Sequence, residues 1–396
     1  MFPAFITILR SASLRRSTLM LFLCGVTGAA TMPYLPVLGV RELGLADATL
    51  SLMIFTFSVA GLVAGVGMAI FSDMVRDRRV LLATTALTGM VGFGAIYLVP
   101  NISVFVLASA LLLPIAGSGY ALVFAMIRAE TDQMQSSERA AINAVVRAAF
   151  SGAWMLAPAL VGLWLADAVS VRPAWAFAAV ISALSLALAL AMKPTVIQKA
   201  ETITRHGFVS SLLMAAEPRI LGRVAAISLI TGANILVIIL QPLILTQSVG
   251  GQLSDVGLVA AGCAALEIPF MLVWGSLLGR FNVITLLVAG SLIYAVFMLL
   301  LGFATAPWQI YLLLIPNAFG LAAILSLPLS YFQDLLTDRP GLGTALNQMM
   351  QFLSQSLSAL AFAVGAPLIG YSASAFIGVG MALAGIGALI WLERRR

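Results

Sequence analysis

The sequence predicts an all-α membrane protein of twelve transmembrane helices, arranged as two six-helix halves. Three observations carry that expectation: a composition that lipid must solvate, a succession of apolar runs of spanning length, and a one-sided distribution of arginine and lysine. Hydrophobic residues fill 62% of the 396 positions and charged residues 9%, against about 25% charged in a soluble domain. So small a polar set cannot cover a water-exposed surface, and the mean hydropathy of +1.09 agrees.

A helix needs about 20 mostly apolar residues to cross the hydrocarbon. With breaks at charged or Pro/Gly-rich points, the spans fall at 17–40, 47–71, 80–99, 102–127, 139–167, 173–193, 219–247, 253–278, 284–303, 307–331, 342–369 and 371–392. Met1 to Leu9 is apolar but too short to cross, and Arg10, Arg15 and Arg16 follow it. The next run, Ser17 to Val40, is long enough and lacks a convincing cleavage site, so it reads as an uncleaved first helix. A β-barrel would show short alternating segments, which these unbroken runs exclude. The 34 glycines suit close helix packing in lipid.

Placing the amino terminus in the cytoplasm puts Arg10, Arg15, Arg16, Arg76, Arg78, Arg79, Arg128, Arg139, Lys193, Lys199, Arg205, Arg219, Arg223, Arg280, Arg339 and Arg394 to Arg396 on that side. Arg41 and Arg172 fall on the other, and Arg147 falls inside a helix. The positive-inside rule therefore predicts both termini in the cytoplasm. The net charge of +6 is topology; no basic run interleaved with aromatics points to nucleic acid. A polar stretch over 194–218 reads as a cytoplasmic linker between an N-terminal half, 1–193, and a C-terminal half, 219–396. It holds His206, the one histidine, as a solvated loop residue. Cys24 and Cys263 lie inside apolar runs, without metal-like spacing or a disulfide framework, and read as packing.

The halves repeat at an offset of 204 residues. Val26-Thr27-Gly28-Ala29 meets Ile230-Thr231-Gly232-Ala233, Ser72 meets Ser276, Arg76 meets Arg280, and Glu130 meets Asp334. Asn143, Arg147 and Ser151 meet Asn347, Gln351 and Gln355. Two six-helix halves with both termini on one side imply parallel repeats about an axis along the membrane normal. That is the layout of major facilitator transporters, with substrate between the halves.

Steps of four residues put Asn143, Arg147 and Ser151 on one face of the fifth helix, and Asn347, Gln351 and Gln355 on one face of the eleventh. Polar side chains at such depth face a bundle interior or a water-filled cavity. Their donors and acceptors suit a neutral, hydroxyl-rich ligand; interhelical glue is the competing reading. Trp154, able to stack on a sugar ring, and Asn234 complete the candidate substrate contacts. Glu267 lies near the middle of the eighth helix, where hydrocarbon disfavours a charged carboxylate, as a proton carrier requires. At 1.5 Å per residue, Arg147 stands roughly 12 Å and Glu267 roughly 18 Å from the cytoplasmic ends of their helices, depths compatible with a pair. Asp334 is the second proton-coupling candidate. The turn Ser72-Asp73-Met74-Val75-Arg76-Asp77-Arg78-Arg79 carries mixed charge in which Asp73 can cap a helix or pair with an arginine, and Asp73, Arg76 and Arg78 are expected gating groups. Glu130, at the cytoplasmic end of the fourth helix, joins them.

The turn from Asp73 to Arg79 resembles the signature loop between helices two and three of the major facilitator superfamily, with Ala69 and Arg76 in place of its usual glycines. Ala265-Leu266-Glu267-Ile268-Pro269-Phe270-Met271-Leu272 is similar to helix eight of its bacterial sugar efflux transporters. Tyr331-Phe332-Gln333-Asp334-Leu335-Leu336, with Gly343-Thr344-Ala345, is similar to the segment after their helix ten. Val146-Arg147-Ala148-Ala149-Phe150-Ser151-Gly152-Ala153-Trp154, with Pro158 beyond, resembles their helix five. The resemblance implies a proton-driven exporter of sugars and sugar-like molecules in the bacterial inner membrane, with Arg147, Glu267, Gln333 and Asp334 singled out by motif position. It implies a small-molecule sugar, a proton and the lipid bilayer as partners, with neither cofactor nor metal, and a complete pathway in one chain. A drug/proton antiporter of the same superfamily is the alternative, although the polar stripes disfavour a mostly apolar pocket. An enzyme would need a nucleophile with its base or a metal site, which one loop histidine and two isolated cysteines do not supply.

Overall fold

The structure, a computed structural model, describes residues 2–75, 77–192, 217–335 and 340–394. The expected linker, but for Glu217 and Pro218, lies outside them, as do His206 and Arg76. Eleven described helices are long and apolar enough to cross a membrane. The last, Pro340–Arg394, is two helices meeting at Gly370, whose φ of 78° and ψ of 173° are not helical, so the spans among the described residues number twelve. Contacts divide the chain into two compact units: Met1–Leu45 with Thr56–Glu201, and Ala46–Phe55 with Thr202–Arg396. The start of the second helix thus belongs to the second unit.

The spans are α1 (Ala12–Tyr34), α2 (Asp47–Met74), α3 (Arg78–Leu98), α4 (Ile102–Thr131), α5 (Ser136–Trp164) and α6 (Pro173–Ala191). They continue as α7 (Pro218–Ser248), α8 (Leu253–Leu277), α9 (Val283–Gly302), α10 (Leu314–Leu335), α11 (340–369) and α12 (371–394). Three depart from the expected bounds for local reasons. α1 starts at Ala12 instead of 17 because extended Ser11 caps it, accepting the Leu14 N–H at 3.3 Å; a separate helix, Phe2–Arg10, precedes it. α4 is interrupted by a π turn at Ala108–Leu112 just ahead of Pro114, which has no N–H for the Ala110 carbonyl. The run expected as one helix from 307 is a short helix, Pro307–Leu312, then α10.

The internal repeat is visible in backbone hydrogen bonds. At the end of α1, Leu43 N–H donates to Leu38 C=O and Leu45 N–H to Gly39 C=O, both at 2.9 Å. At the end of α7, Val249 N–H donates to Ile244 C=O at 3.0 Å and Gly251 N–H to Leu245 C=O at 2.7 Å. A π turn closes each helix, Val37–Glu42 and Ile244–Ser248, and a glycine of positive φ follows each, Gly44 at 69° and Gly250 at 74°. The offset here is 206, so two residues are gained between the mid-helix match and the helix ends.

Each unit closes its own core. In the first, Leu14, Met20, Leu81, Val123, Met126, Ile142, Val146 and Ala189 bring α1, α3, α4, α5 and α6 together. In the second, Val224, Trp274, Leu287, Ala323, Leu346 and Leu389 join α7 to α12. Small residues let the first helix of each unit approach its fifth. A Cβ on Gly25 would stand 2.9 Å from the Ala153 Cβ, and one on Gly232 would stand 3.1 Å from the Ser354 carbonyl oxygen. An arginine in the first helix also reaches the end of the sixth: Arg16 donates to the Ala191 carbonyl at 3.1 Å, and Arg223 pairs with Glu393 at 2.6 Å.

Candidate functional site

In the first unit the site is built on α5. Val146, Ala153 and Ala157 face the core and are buried, which turns Asn143, Arg147, Ser151 and Trp154 toward the more open sides: Arg147 is exposed and the other three half-buried. Several serines in the spans satisfy themselves on their own helix, as Ser185 does on the Ile181 carbonyl, Ser228 on Val224, Ser291 on Leu287 and Ser354 on Met350, whereas the buried Ser109 and Ser358 hydroxyls have no partner among the described residues. Among the described residues, the Ser151 hydroxyl and the Asn143 amide make no such bond. The Trp154 indole Nε1 is buried and has no partner either. Pro158 removes a further donor, because a proline there cannot bond the carbonyl of Trp154 four residues back. Unpaired polar groups at mid-span are costly unless water or a ligand completes them.

The composition of that face includes residues not singled out in the sequence. Tyr120 of α4, 40% exposed, packs its ring on Phe150 at a centroid distance of 4.8 Å and on Phe124 at 4.9 Å, within electrostatic reach of Arg147. Trp154 lies beside α1, its Cζ2 being 3.8 Å from where a Gly28 Cβ would stand. Aromatic rings beside a guanidinium, an amide and a free hydroxyl form a surface for stacking and hydrogen bonding at once. A tyrosine in an apolar helix has no periodic partner, so Tyr120 carried no signal in sequence.

In the second unit, Asn347, Gln351 and Gln355 are half-buried along α11. Among the described residues, no hydrogen bond reaches Asn347 or Gln351. Asn234 is placed otherwise: it is 4% exposed, and its amide oxygen accepts the Tyr294 hydroxyl at 2.8 Å. Tyr294, fully buried on α9, is within electrostatic reach of Cys263 and Glu267 on α8. Cys263 and Glu267 are one helical turn apart, so α8 turns both toward that tyrosine. Glu267 is half-buried, and no hydrogen bond or ion pair reaches it among the described residues. Asp334 is exposed at the end of α10.

The mixed-charge turn differs from expectation in its cap. Asp77, not Asp73, is the extended N-cap of α3: it accepts the Arg79 N–H at 3.0 Å and pairs with the Arg79 guanidinium at 2.6 Å. That guanidinium holds the Asp77 carboxyl below its usual range. Arg79 also donates to the Met192 carbonyl at 2.8 Å, tying the turn to the end of α6. Arg78, expected as an open gating charge, is 7% exposed and reaches toward the Ala125 carbonyl of α4 at 3.5 Å. Asp73 lies in the last turn of α2, and Arg76 is outside the described residues. Glu130 accepts the Ser13 hydroxyl at 2.5 Å and the Ser17 hydroxyl at 3.4 Å, while its second oxygen is buried without a partner. It therefore links α4 to α1 inside the first unit.

Among the described residues, no cluster of His, Cys, Asp and Glu is arranged to hold a metal ion. The family model described as Major Facilitator Superfamily matches residues 17–221 and 223–396. Sugar efflux transporter A of Dickeya chrysanthemi is 25% identical over 383 residues, 94% of this chain and 93% of that protein. Sugar efflux transporter A of Escherichia coli (strain K12) is 26% identical, with 83% of each chain covered. Among solved structures, the nucleoside transporter NupG superposes with a TM-score of 0.77 at 12% identity, covering 97% of this chain and 99% of its own. A peptide transporter POT does so with 0.76 at 15% identity, covering 96% and 94%. These two likenesses concern the fold.

Proposed function

Because this chain belongs to the major facilitator superfamily, and is a multi-pass membrane transporter rather than an enzyme, we propose that it exports sugars or sugar-like molecules across the bacterial inner membrane in exchange for protons. The observation that carries the substrate class is the match, over 94% of this chain and 93% of the relative, to a protein named sugar efflux transporter A. The α5 face supports it. Asn143, Arg147 and the free Ser151 hydroxyl offer donors and acceptors to sugar hydroxyls, while Trp154 and Tyr120 offer ring faces. Asn347, Gln351 and Gln355 supply the corresponding amides from the second unit. Asn234 acts through Tyr294, fixing the ring that backs Glu267.

Transport proceeds by alternating access, with the sugar held near the midplane. Glu267 takes up the proton: it is a carboxyl in mid-span without a bonded partner, so each protonation state is reachable during the cycle. Its charged form pairs with Arg147, and the two exchange partners during the cycle, so that proton and sugar are carried in alternation. Asp334, on the exposed end of α10, is the alternative proton site. Of the expected gating groups, Asp73 and Arg76 are proposed to act at the cytoplasmic turn between α2 and α3, while Arg78 and Glu130 tie α3 and α1 to α4; both chain termini are placed on that side by the positive-inside rule.

The test is radiolabelled sugar flux in proteoliposomes under an imposed pH gradient, comparing wild type with Glu267→Gln. Gradient-driven flux in wild type that fails in the variant is the expected result. Flux of equal size and pH dependence in the variant moves the proton site to Asp334. No flux in wild type across several mono- and disaccharides rejects the sugar reading in favour of a drug/proton antiporter.

A further inference from the structure

The helix Phe2–Arg10 is not used by the transport proposal. Its nine residues extend about 14 Å, roughly half the hydrocarbon thickness, so it cannot cross the membrane. It is apolar on two sides at once. Ala4 and Ile8, one turn apart, are each 4% exposed and belong to the core of the first unit. Phe5 and Leu9, also one turn apart, stand 49% and 47% exposed on the neighbouring face. The protein covers the first pair and leaves the second to another apolar phase.

The helix ends in positive charge. Arg10 is in its last turn and exposed. Arg15, exposed on the first turns of α1, donates one N–H to the Leu9 carbonyl at 3.0 Å and so completes the end of the helix. Glu130, which meets the start of α1, is engaged by the Ser13 and Ser17 hydroxyls, and among the described residues no ion pair neutralises Arg10 or Arg15. An apolar stripe beside two uncompensated guanidinium groups, on a helix too short to span, is the pattern of a helix lying in the plane of the interface.

We propose that Phe2–Arg10 is an interfacial anchor, with Phe5 and Leu9 in the acyl boundary and Arg10 and Arg15 binding the phosphate of anionic phospholipid headgroups. It fixes the cytoplasmic end of α1 against the bilayer surface, and its lipid preference comes from the two arginines.

The test places a fluorophore on Leu9→Cys in full-length Cys24→Ala/Cys263→Ala protein, reconstituted in phosphatidylcholine vesicles. Acyl-brominated phosphatidylglycerol or acyl-brominated phosphatidylcholine is added at equal mole fraction. Both quench the label, and the anionic lipid does so with a preference of about fivefold per guanidinium, which falls in high salt. Arg10→Gln/Arg15→Gln abolishes the preference, and Arg394→Gln at the far end of the chain leaves it unchanged. No quenching by either lipid would place the helix off the membrane and end the proposal; equal quenching in wild type would end its headgroup part. If the cysteine-free protein does not fold, native mass spectrometry of the otherwise unaltered chain and its Arg10→Gln/Arg15→Gln variant decides. Retention of phosphatidylglycerol over phosphatidylcholine must drop in the variant, and equal retention overturns the proposal.

Discussion

Glu393→Gln is the substitution whose outcome the structure fixes most closely. Arg223 and Glu393 are paired at 2.6 Å with side chains 7% and 12% exposed, and the same Glu393 oxygen accepts the Tyr331 hydroxyl at 2.7 Å. The three residues come from α7, α12 and α10, so one carboxylate joins the first and last helices of the second unit to a third. Glutamine keeps the volume and an acceptor for Tyr331 but removes the charge. The guanidinium cannot give up its own, and it is left buried beside a neutral amide. Stranding one partner of a buried pair costs about 3–5 kcal/mol. At about 2–4 °C per kcal/mol for a body of 150–250 residues, Tm falls by roughly 6–20 °C. A thiol-reactive dye reads the transition in a Cys24→Ala background, since Cys263 is buried in the same unit and reacts when that unit opens. A fall smaller than about 2 °C would show that the charge on Glu393 is not what Arg223 depends on. The double variant Arg223→Met/Glu393→Met strands no charge and regains most of the lost Tm; a double loss equal to the sum of the single losses would refute the coupling.

Two further results are expected. Ser151→Ala and Trp154→Phe each remove one donor that the proposed function directs at the sugar while leaving the helix bonds intact, so apparent affinity weakens about 2- to 13-fold in the flux assay, the equivalent of about 0.5–1.5 kcal/mol; Ser185→Ala, whose hydroxyl is spent on the Ile181 carbonyl, leaves it unchanged. Asp77 is held below its ordinary value by Arg79, so the cap contributes stability that is present above the unfolded carboxyl pKa and is lost as pH falls through the folded one; Asp77→Asn lowers Tm at neutral pH and flattens its decline on acidification, which thermal melts from pH 7 to pH 3 measure.

The spans were legible because hydrocarbon thickness imposes a length and composition that single helices carry within themselves. Gly370 marked the boundary of α11 and α12 for the same reason, as a local break in a long apolar run. What was not legible depends on partners far apart in the chain. Arg223 and Glu393 are 170 residues apart, and in a helix apolar on every side no periodicity tells which face meets protein and which meets lipid. The turn offers Asp73 to cap a helix or to pair with an arginine, and the start of α3 at Arg78 makes Asp77 the cap. The sequence shows Met1 to Leu9 only as a short apolar run, and the two-sided apolar character of the helix Phe2–Arg10 appears once Ala4 and Ile8 are seen against the core.

Some polar groups of the spans are held by partners and others are not, and the difference bears on function. Several at helix ends are engaged: Glu42 by the Ser170 hydroxyl at 2.6 Å, Asp255 by the Tyr311 hydroxyl at 2.7 Å, Arg223 by Glu393, and Asp47 by the Tyr371 hydroxyl at 3.0 Å. Water at the interface would have solvated these groups without a partner, so their bonds are there to hold helices in register. Within the spans, where an unmet donor costs most, Asn143, Ser151, the Trp154 indole, Gln351 and Glu267 stand without a partner among the described residues, as do the buried Ser109 and Ser358 hydroxyls, while Ser185, Ser228, Ser291 and Ser354 bond their own helix. A chain selected for stability alone would have paired or removed them. Their arrangement makes sense if something outside the chain completes them in turn, first one set and then another, which is what a substrate and a proton passing through the membrane would do.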